Sequence, residues 1–467
     1  MVGRAHPNTQ GTSSTLASSS GQFLSERYRL PEVADFAICG NQSTHSGFFQ
    51  FSPEITCYGQ CSSGVPSEDL ADLHDASTHI SCKDGVVQAS FDPAQLIENL
   101  CFERYVDGVS GGGAPATQLI RNLYYLLRPA MPVFVRRHFQ ALYFRGRIKR
   151  TFPAWPVDTT VESIHERMLA LSMRAQGISR VPFIWFWPNG APCCTVVTHD
   201  VETSKGVKHC PALMDLNDSY GVKTSFHFIP EQRYQVSESV LAEVRRRGFE
   251  INVHDLKHDG HLFREHGEFL VRAQQINHYV TKLGASGFRS AIMYRNLDWI
   301  GALKIRYDMS VPNAAHLDPQ AGGCCTVFPF FVGEILEIPT TMTQDYSLFH
   351  ILGQYSIELW KQQISIIAGK NGLACFVVHP DYIATPKARR VYSDLLCHLS
   401  EMKAAMQTWI ALPGEVDEWW RQRRRMKLIR SASHSWRIEG QGSERARWAW
   451  AVLDGQGVRY EHPAVDK

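Results

Sequence analysis

The sequence predicts an α/β fold whose largest unit is a barrel of parallel strands wrapped by helices. Three observations lead there. Short apolar runs alternate with helix-period stretches from about residue 183 to 406, the runs number seven, and none is followed by a glycine-rich nucleotide loop. An open doubly wound sheet normally carries such a loop, so a distorted (β/α)7 barrel fits better.

The opening run is Thr195-Val-Val-Thr198, β-branched throughout and led in by the aromatic stretch 183–187. Six more runs follow at 223–229, 249–254, 287–291, 307–312, 336–341 and 373–379. Helical spacing fills 211–219, 236–247, 263–283, 296–303 and 356–370 between them, with 387–406 after the last.

Four segments are expected. Residues 1–21, rich in Ser, Thr and Gly, read as a disordered tail. Residues 22–150 read as an accessory region, β-rich first (35–39, 47–51, 85–89) and helical later (117–127, 133–144), divided by the Gly-rich break 108–115. The barrel unit is 151–412 and begins with a helix over 161–175. Residues 413–467 form a small appendage, with a helix at 415–425 and strands at 435–439 and 447–461, the latter interrupted by the turn Asp454-Gly-Gln-Gly457.

Composition narrows the function classes. A 44% hydrophobic and 20% charged chain of 467 residues is globular and large enough for more than one unit. Its net charge of +2 gives no field for polyanions, so nucleic acid is not an expected partner, and the basic stretch 421–430 reads as a solvated helix face. Twelve cysteines are too sparse for a disulfide scaffold, the adjacent pairs (193–194, 324–325) do not resemble a zinc framework, and Cys57 and Cys61 (CYGQC) read as two unrelated thiols, with a pair as the alternative. Reduced thiols and a cytoplasmic setting are expected, since the first 20 residues lack the apolar core of a secretory signal. The stretch 119–144 is interrupted by Arg121, Arg128, Arg136 and Arg137, so it reads as a packing helix and no transmembrane segment is expected.

Chemistry concentrates at the carboxyl ends of the predicted strands, where parallel sheets and barrels place their ligands. The opening strand hands over to His199, Asp200 and Glu202; an acidic pair there serves a reaction or caps the next helix. The 249–254 strand runs into His254-Asp-Leu-Lys-His258, where a spacing of four puts two imidazoles on one side of a turn or loop. Zinc takes neutral His nitrogens plus a carboxylate, which Asp200 or Glu202 can supply; a polar loop is the alternative. Arg289 ends a third strand, able to hold a carboxylate ionised or to make a structural salt bridge. His379 ends the last one, Phe376-Val-Val-His379. Four strands of one barrel ending this way is hard to ascribe to chance.

The ordered set THDVE, HDLKH, GFRSA, VVHPD resembles the polysaccharide deacetylases, the NodB-like carbohydrate esterase family 4, over about 192–406. That resemblance implies a distorted barrel of NodB type, a divalent metal, with zinc preferred, and removal of acetyl groups from an N-acetylated carbohydrate. It further implies Asp200 as general base, Arg289 as the residue orienting it, His379 as general acid, and His254 and His258 as metal ligands. The family's usual TFDD carries its metal-binding Asp where this chain has Val201. A DVD-type subgroup carries it one residue later, where Glu202 stands. Ala291 replaces a frequent Pro, and Asp345-Tyr346 is the candidate fourth motif. Two other functions remain open: hydrolysis of a small non-sugar amide on the same barrel, and a metal- or carbohydrate-binding module without turnover, suggested by Val201 and Ala291.

Overall fold

The structure is a computed structural model and describes residues 21–32, 34, 36–40, 45–106, 146, 150–430 and 435–463. The expected tail (save Gly21) and the expected helices at 117–127 and 133–144 lie outside the described residues. After helix α1 (Gln22–Tyr28), strands β1 (Ala37–Gly40), β2 (Ser46–Ser52), β3 (Ile55–Gln60), β4 (Ser81–Lys83) and β5 (Val86–Ala89) make two small sheets, ordered β1-β5-β4 and β2-β3. Helix α2 (Pro93–Cys101) begins with proline at its first position and Asp92 accepting the Ala94 N–H at 2.9 Å. Helix α3 (Thr160–Ala175) and strand β6 (Arg180–Ile184) lead towards the main sheet.

That sheet has nine strands: β7 (Cys194–Val201), β8 (Ser225–Phe228), β9 (Glu250–His254), β10 (Gly287–Arg289), β11 (Tyr307–Asp308), β12 (Phe330–Val332), β13 (Ile335–Glu337), β14 (Leu373–Val378) and β15 (Trp409–Ala411). Their order is β12-β13-β11-β10-β9-β8-β7-β14, with β15 also on β7, and every pairing is parallel except the β12–β13 hairpin. Each of the seven expected runs supplies one strand. β7 is buried along its whole length, its apolar start and its polar end alike, as in a parallel strand covered on both faces. The sheet curls without a closing ladder. β13 and β14 meet through the Met342 N–H bonded to the Cys375 carbonyl at 3.2 Å, and through Thr341 Oγ1, which accepts from Cys375 N at 2.8 Å and donates to the Leu373 carbonyl at 2.6 Å.

Helices α4 (Ser204–Ser219), α5 (Glu238–Arg246), α6 (His266–Lys282), α7 (Glu358–Gly369) and α8 (Pro386–Ala404) cover the sheet. Side chains of Thr203, Ser237, Glu265 and Thr385 accept the orphan N–H groups that start α4, α5, α6 and α8. Two expectations are corrected. α4 begins well before Pro211, which sits within the helix on its solvent side, so the missing N–H is not buried. The helix expected at 296–303 is a single 3-10 turn, Ile300–Ala302, because the Asn296 side chain accepts the Asp298 N–H at 3.1 Å and diverts the backbone into a turn. No helix separates β11 from β13, where none was expected, so the strand–helix repeat is incomplete.

Helix α9 (Pro413–Arg425) precedes β16 (Lys427–Arg430), β17 (Trp436–Glu439), β18 (Trp448–Asp454) and β19 (Gly457–Glu461). The stretch 183–187 therefore does more than lead into β7. Its start belongs to β6, in a separate sheet ordered β19-β18-β6, and the 3-10 turn Pro188–Gly190 then turns the chain towards β7. Buried Arg423 of α9 donates to the carbonyls of Trp185 (2.9 Å), Ile184 (2.6 Å) and Arg27 (3.0 Å), satisfying acceptors left where β6 ends. The core is continuous from Phe48 and Phe91 through Trp187 and Phe328, stacked at 5.8 Å, to Trp419 and Ala449. No described helix is long and apolar enough to cross a membrane, and all 12 cysteines are free.

Phe183 is fully buried against Tyr28, Phe186 and Tyr460, joining β6 to both chain ends. Phe183→Ala should destabilise the whole chain by about 3–5 kcal/mol in denaturant titration, as a single transition.

Candidate active site

Six side chains singled out in the sequence meet at the carboxyl end of the sheet. Asp200 is the penultimate residue of β7, and Glu202 follows its end; His254 closes β9, Arg289 closes β10, and His379 follows β14. His258 arrives by a tight loop rather than a helical turn. Asp255 (φ 56°), His258 (φ 54°) and Gly260 (φ 73°) are all left-handed, and this curls the loop back over β9. Glycine at 260 suits this left-handed backbone, and the tip of the Ile292 side chain lies close to it.

Arg289 organises the floor. Its fully buried guanidinium donates from Nη1 to Asp200 Oδ1 at 2.7 Å and to Thr198 Oγ1 at 2.8 Å, and from Nε to the Met309 carbonyl at 3.0 Å. Burial alone would raise the Asp200 carboxyl, but Arg289, then His254 and His227, outweigh it and hold the group well below the usual carboxylate range. Asp200 is therefore an ionised acceptor at neutral pH.

Above it stands the ligand-like set. Glu202 Oε1 lies 2.9 Å from His258 Nε2, 4.0 Å from His254 Nε2 and 3.6 Å from His379 Nε2. One donor atom from each of Glu202, His254 and His258 lies within 4.8 Å of the others. Two ligands of one tetrahedral zinc stand roughly 3.4 Å apart, so the cluster has the right scale and the right donor types. His254 points Nδ1 at the Arg289 carbonyl, 3.1 Å away, which leaves Nε2 as the free lone pair. Buried His254 Nε2 has no hydrogen-bond partner, its nearest carboxylate oxygens lying 3.8 and 4.0 Å away, whereas His258 Nε2 stands against Glu202. An unsatisfied imidazole nitrogen converging with a second imidazole on one carboxylate fits a divalent cation, whereas a merely structural polar loop would satisfy it.

His379 is fixed from behind by Asp345. The two are 2.6 Å apart at Nδ1, and the His379 backbone N–H also reaches Asp345 at 2.8 Å. Burial would lower the His379 imidazole, but Asp345 and then Glu202 push it well above its ordinary value, so it carries a proton to donate from Nε2. Beside it Tyr382 sits 4.9 Å from His379 by ring centroid, and Tyr346 and His350 each 5.3 Å from Tyr382, a half-buried aromatic wall.

Sequence reasoning missed His227, Arg233 and Tyr234. His227 is fully buried, pairs in register with Asp200, and has its Nδ1 4.0 Å from Asp200 Oδ1. Its signal was a polar residue inside the apolar run SFHF, in phase with Asp200. Arg233 donates to the His258 carbonyl at 2.8 Å, and Tyr234 donates to the Val201 carbonyl while accepting the Ile229 N–H at 2.8 Å. These loop residues carry no periodic signal.

Searches against family models and against curated proteins return no match. Among solved structures, the chain is similar to a provisionally assigned polysaccharide deacetylase of Mycobacterium smegmatis (16% identity, 51% of this chain and 93% of that one, TM-score 0.42). It is also similar to PuuE allantoinase (11%, 50% and 92%, TM-score 0.39) and to the peptidoglycan deacetylase PdaC of Bacillus subtilis (10%, 48% and 90%, TM-score 0.32). All three likenesses are distant.

Titration with Zn2+ should give one bound ion per chain by calorimetry and elemental analysis. The paired substitution His254→Ala with Glu202→Ala should abolish that binding and leave the fold intact by circular dichroism.

Proposed function

We propose that this chain is a metal-dependent hydrolase that removes N-acetyl groups from a sugar or polysaccharide. One observation carries the reading: an Asp200 carboxylate kept ionised by Arg289 lies 3.8 Å from the orphaned His254 Nε2, while Asp345-oriented His379 lies 3.6 Å from Glu202 in the same cluster. Base, cation-binding set and acid thus adjoin one another in one cleft.

In this reading Glu202, His254 and His258 hold the cation, with zinc favoured by two imidazoles and a carboxylate. When bound, it supplies Lewis acidity to the acetamide carbonyl and lowers the pKa of water. Asp200 takes the proton of the attacking water, its lone pair directed by the Arg289 bond. His379 gives a proton from Nε2 to the departing amine, and Asp345 stabilises the imidazolium before transfer. The Ile292 backbone N–H, on the loop after β10, is the donor assigned to the developing oxyanion. Tyr382, Tyr346 and His350 offer ring faces and edges for the apolar side of a sugar, which supports a carbohydrate over a smaller amide.

The test is acetate release from N-acetylated oligosaccharides with added zinc, run beside a panel of small non-sugar acetamides. Asp200→Asn should lower kcat by about 10²–10⁴-fold, the usual loss when a positioned base is removed. An unchanged rate defeats the base assignment. Turnover confined to the non-sugar panel would move the substrate class, and stoichiometric zinc binding with no hydrolysis would make the chain a binding module.

A further inference from the structure

Glu103 is a buried carboxylate in the N-terminal region that no step above uses. It sits in the turn after α2, at φ 57°, and its side chain is 7% exposed. Its partner is Arg295, 192 positions away and 1% exposed, which donates from Nε to Glu103 Oε2 at 2.6 Å and from Nη2 to Oε1. Glu103 also accepts the Gly323 N–H. Gly323 lies in the loop after β11, whereas Arg295 ends the loop after β10, so one carboxylate joins both loops.

The loop after β10 needs such a tie. Ile292 (φ 61°) and Met293 (φ 56°) are consecutive left-handed residues without glycine, and one is β-branched. Each is a strained conformation that persists only when the surroundings over-determine it. Arg295 supplies that determination, donating from Nη1 to the Met293 carbonyl at 2.9 Å and from Nη2 to the Ala321 carbonyl at 3.2 Å. The Ile292 side chain packs in turn on Gly260, two residues beyond His258.

We propose that Glu103 is a positioning residue: through Arg295 it holds the left-handed turn that carries Ile292, whose backbone N–H the hydrolase reading assigns to the oxyanion, so the N-terminal region supports the catalytic apparatus. The role of Ile292 rests on the hydrolase reading above, but the tie itself does not. A buried guanidinium facing a neutral amide loses the charge that fixes it, whereas the fold retains its other contacts.

The experiment compares wild type with Glu103→Gln, Arg295→Lys and Tyr105→Phe in the full chain. Tyr105 also bonds Gly323, at its carbonyl (2.5 Å), but is not bonded to Arg295, so its substitution removes a hydrogen bond to the same loop and leaves the ion pair in place. Glu103→Gln and Arg295→Lys should each lower kcat for an N-acetylated oligosaccharide about tenfold, with KM within about twofold and zinc affinity unchanged. Amide hydrogen exchange over 291–295 should quicken in both and stay slow in α8. Tyr105→Phe should lower thermal stability while leaving kcat and that exchange unchanged. The proposal is overturned if folded Glu103→Gln keeps wild-type kcat and exchange, or if Tyr105→Phe lowers kcat as far; should Glu103→Gln not fold, Glu103→Asp is read the same way. If wild type releases no acetate from any substrate, the hydrolase reading fails, and exchange alone decides whether Glu103 holds the loop.

Discussion

The bond between Asp200 and Arg289 is the constraint from which the rest of the cleft follows. Their strands are separated by β8 and β9, so in a flat sheet three spacings of about 4.8 Å would set the two backbones roughly 14 Å apart. Curling turns both side chains inward until Nη1 and Oδ1 are 2.7 Å apart. Neither charge would be stable there alone, because burying an unpaired ion costs several kcal/mol. Thr198 and the Met309 carbonyl take further guanidinium hydrogens, and His254 and His227 lie near the carboxylate. The carbonyl of Arg289 adds to this by accepting the Asp255 N–H at 2.8 Å and facing His254 Nδ1. One residue therefore sets the charge of Asp200 and the direction of an imidazole.

The flanking segments are built into the same core. β6 and the C-terminal strands share a sheet, and Arg423 ties α9 to the carbonyls beyond it. Asn313, in the loop after β11, exchanges hydrogen bonds with the Asp158 backbone at 2.7 and 2.8 Å, fastening the start of α3 to the rim of the sheet. Such contacts explain why apolar surface of the described flanking segments is buried even though none of their described residues lines the cleft.

Much of the cleft was legible because charge at the end of a buried strand is locally improbable. Asp200, His254, Arg289 and His379 each interrupt an apolar run, so they stand out without any structure. His227 does the same in the middle of its run, but one buried histidine has many structural explanations. Arg233 and Tyr234 belong to a loop, where polarity is expected and carries no signal. The link between Glu103 and Arg295 joins positions 192 apart and leaves no trace in local pattern. The fold was legible to a similar depth. Parallel strands announce themselves by long β-branched runs, whereas β12 and β15, three residues each, are too short to show a period. The missing helix at 296–303 was lost to a side-chain hydrogen bond that competes with helical geometry.

The gap between β13 and β14 lies beneath His379. Asp345 follows the β13 edge and His379 follows β14, so the bond that orients the imidazole spans the place where the wall is least stitched. Spreading of those two edges would carry the carboxylate away from the ring and release its proton, while Asp200 and Arg289, across the cup, would feel little. On the hydrolase reading, protonation of the departing amine would thereby be mechanically separable from attack on the carbonyl.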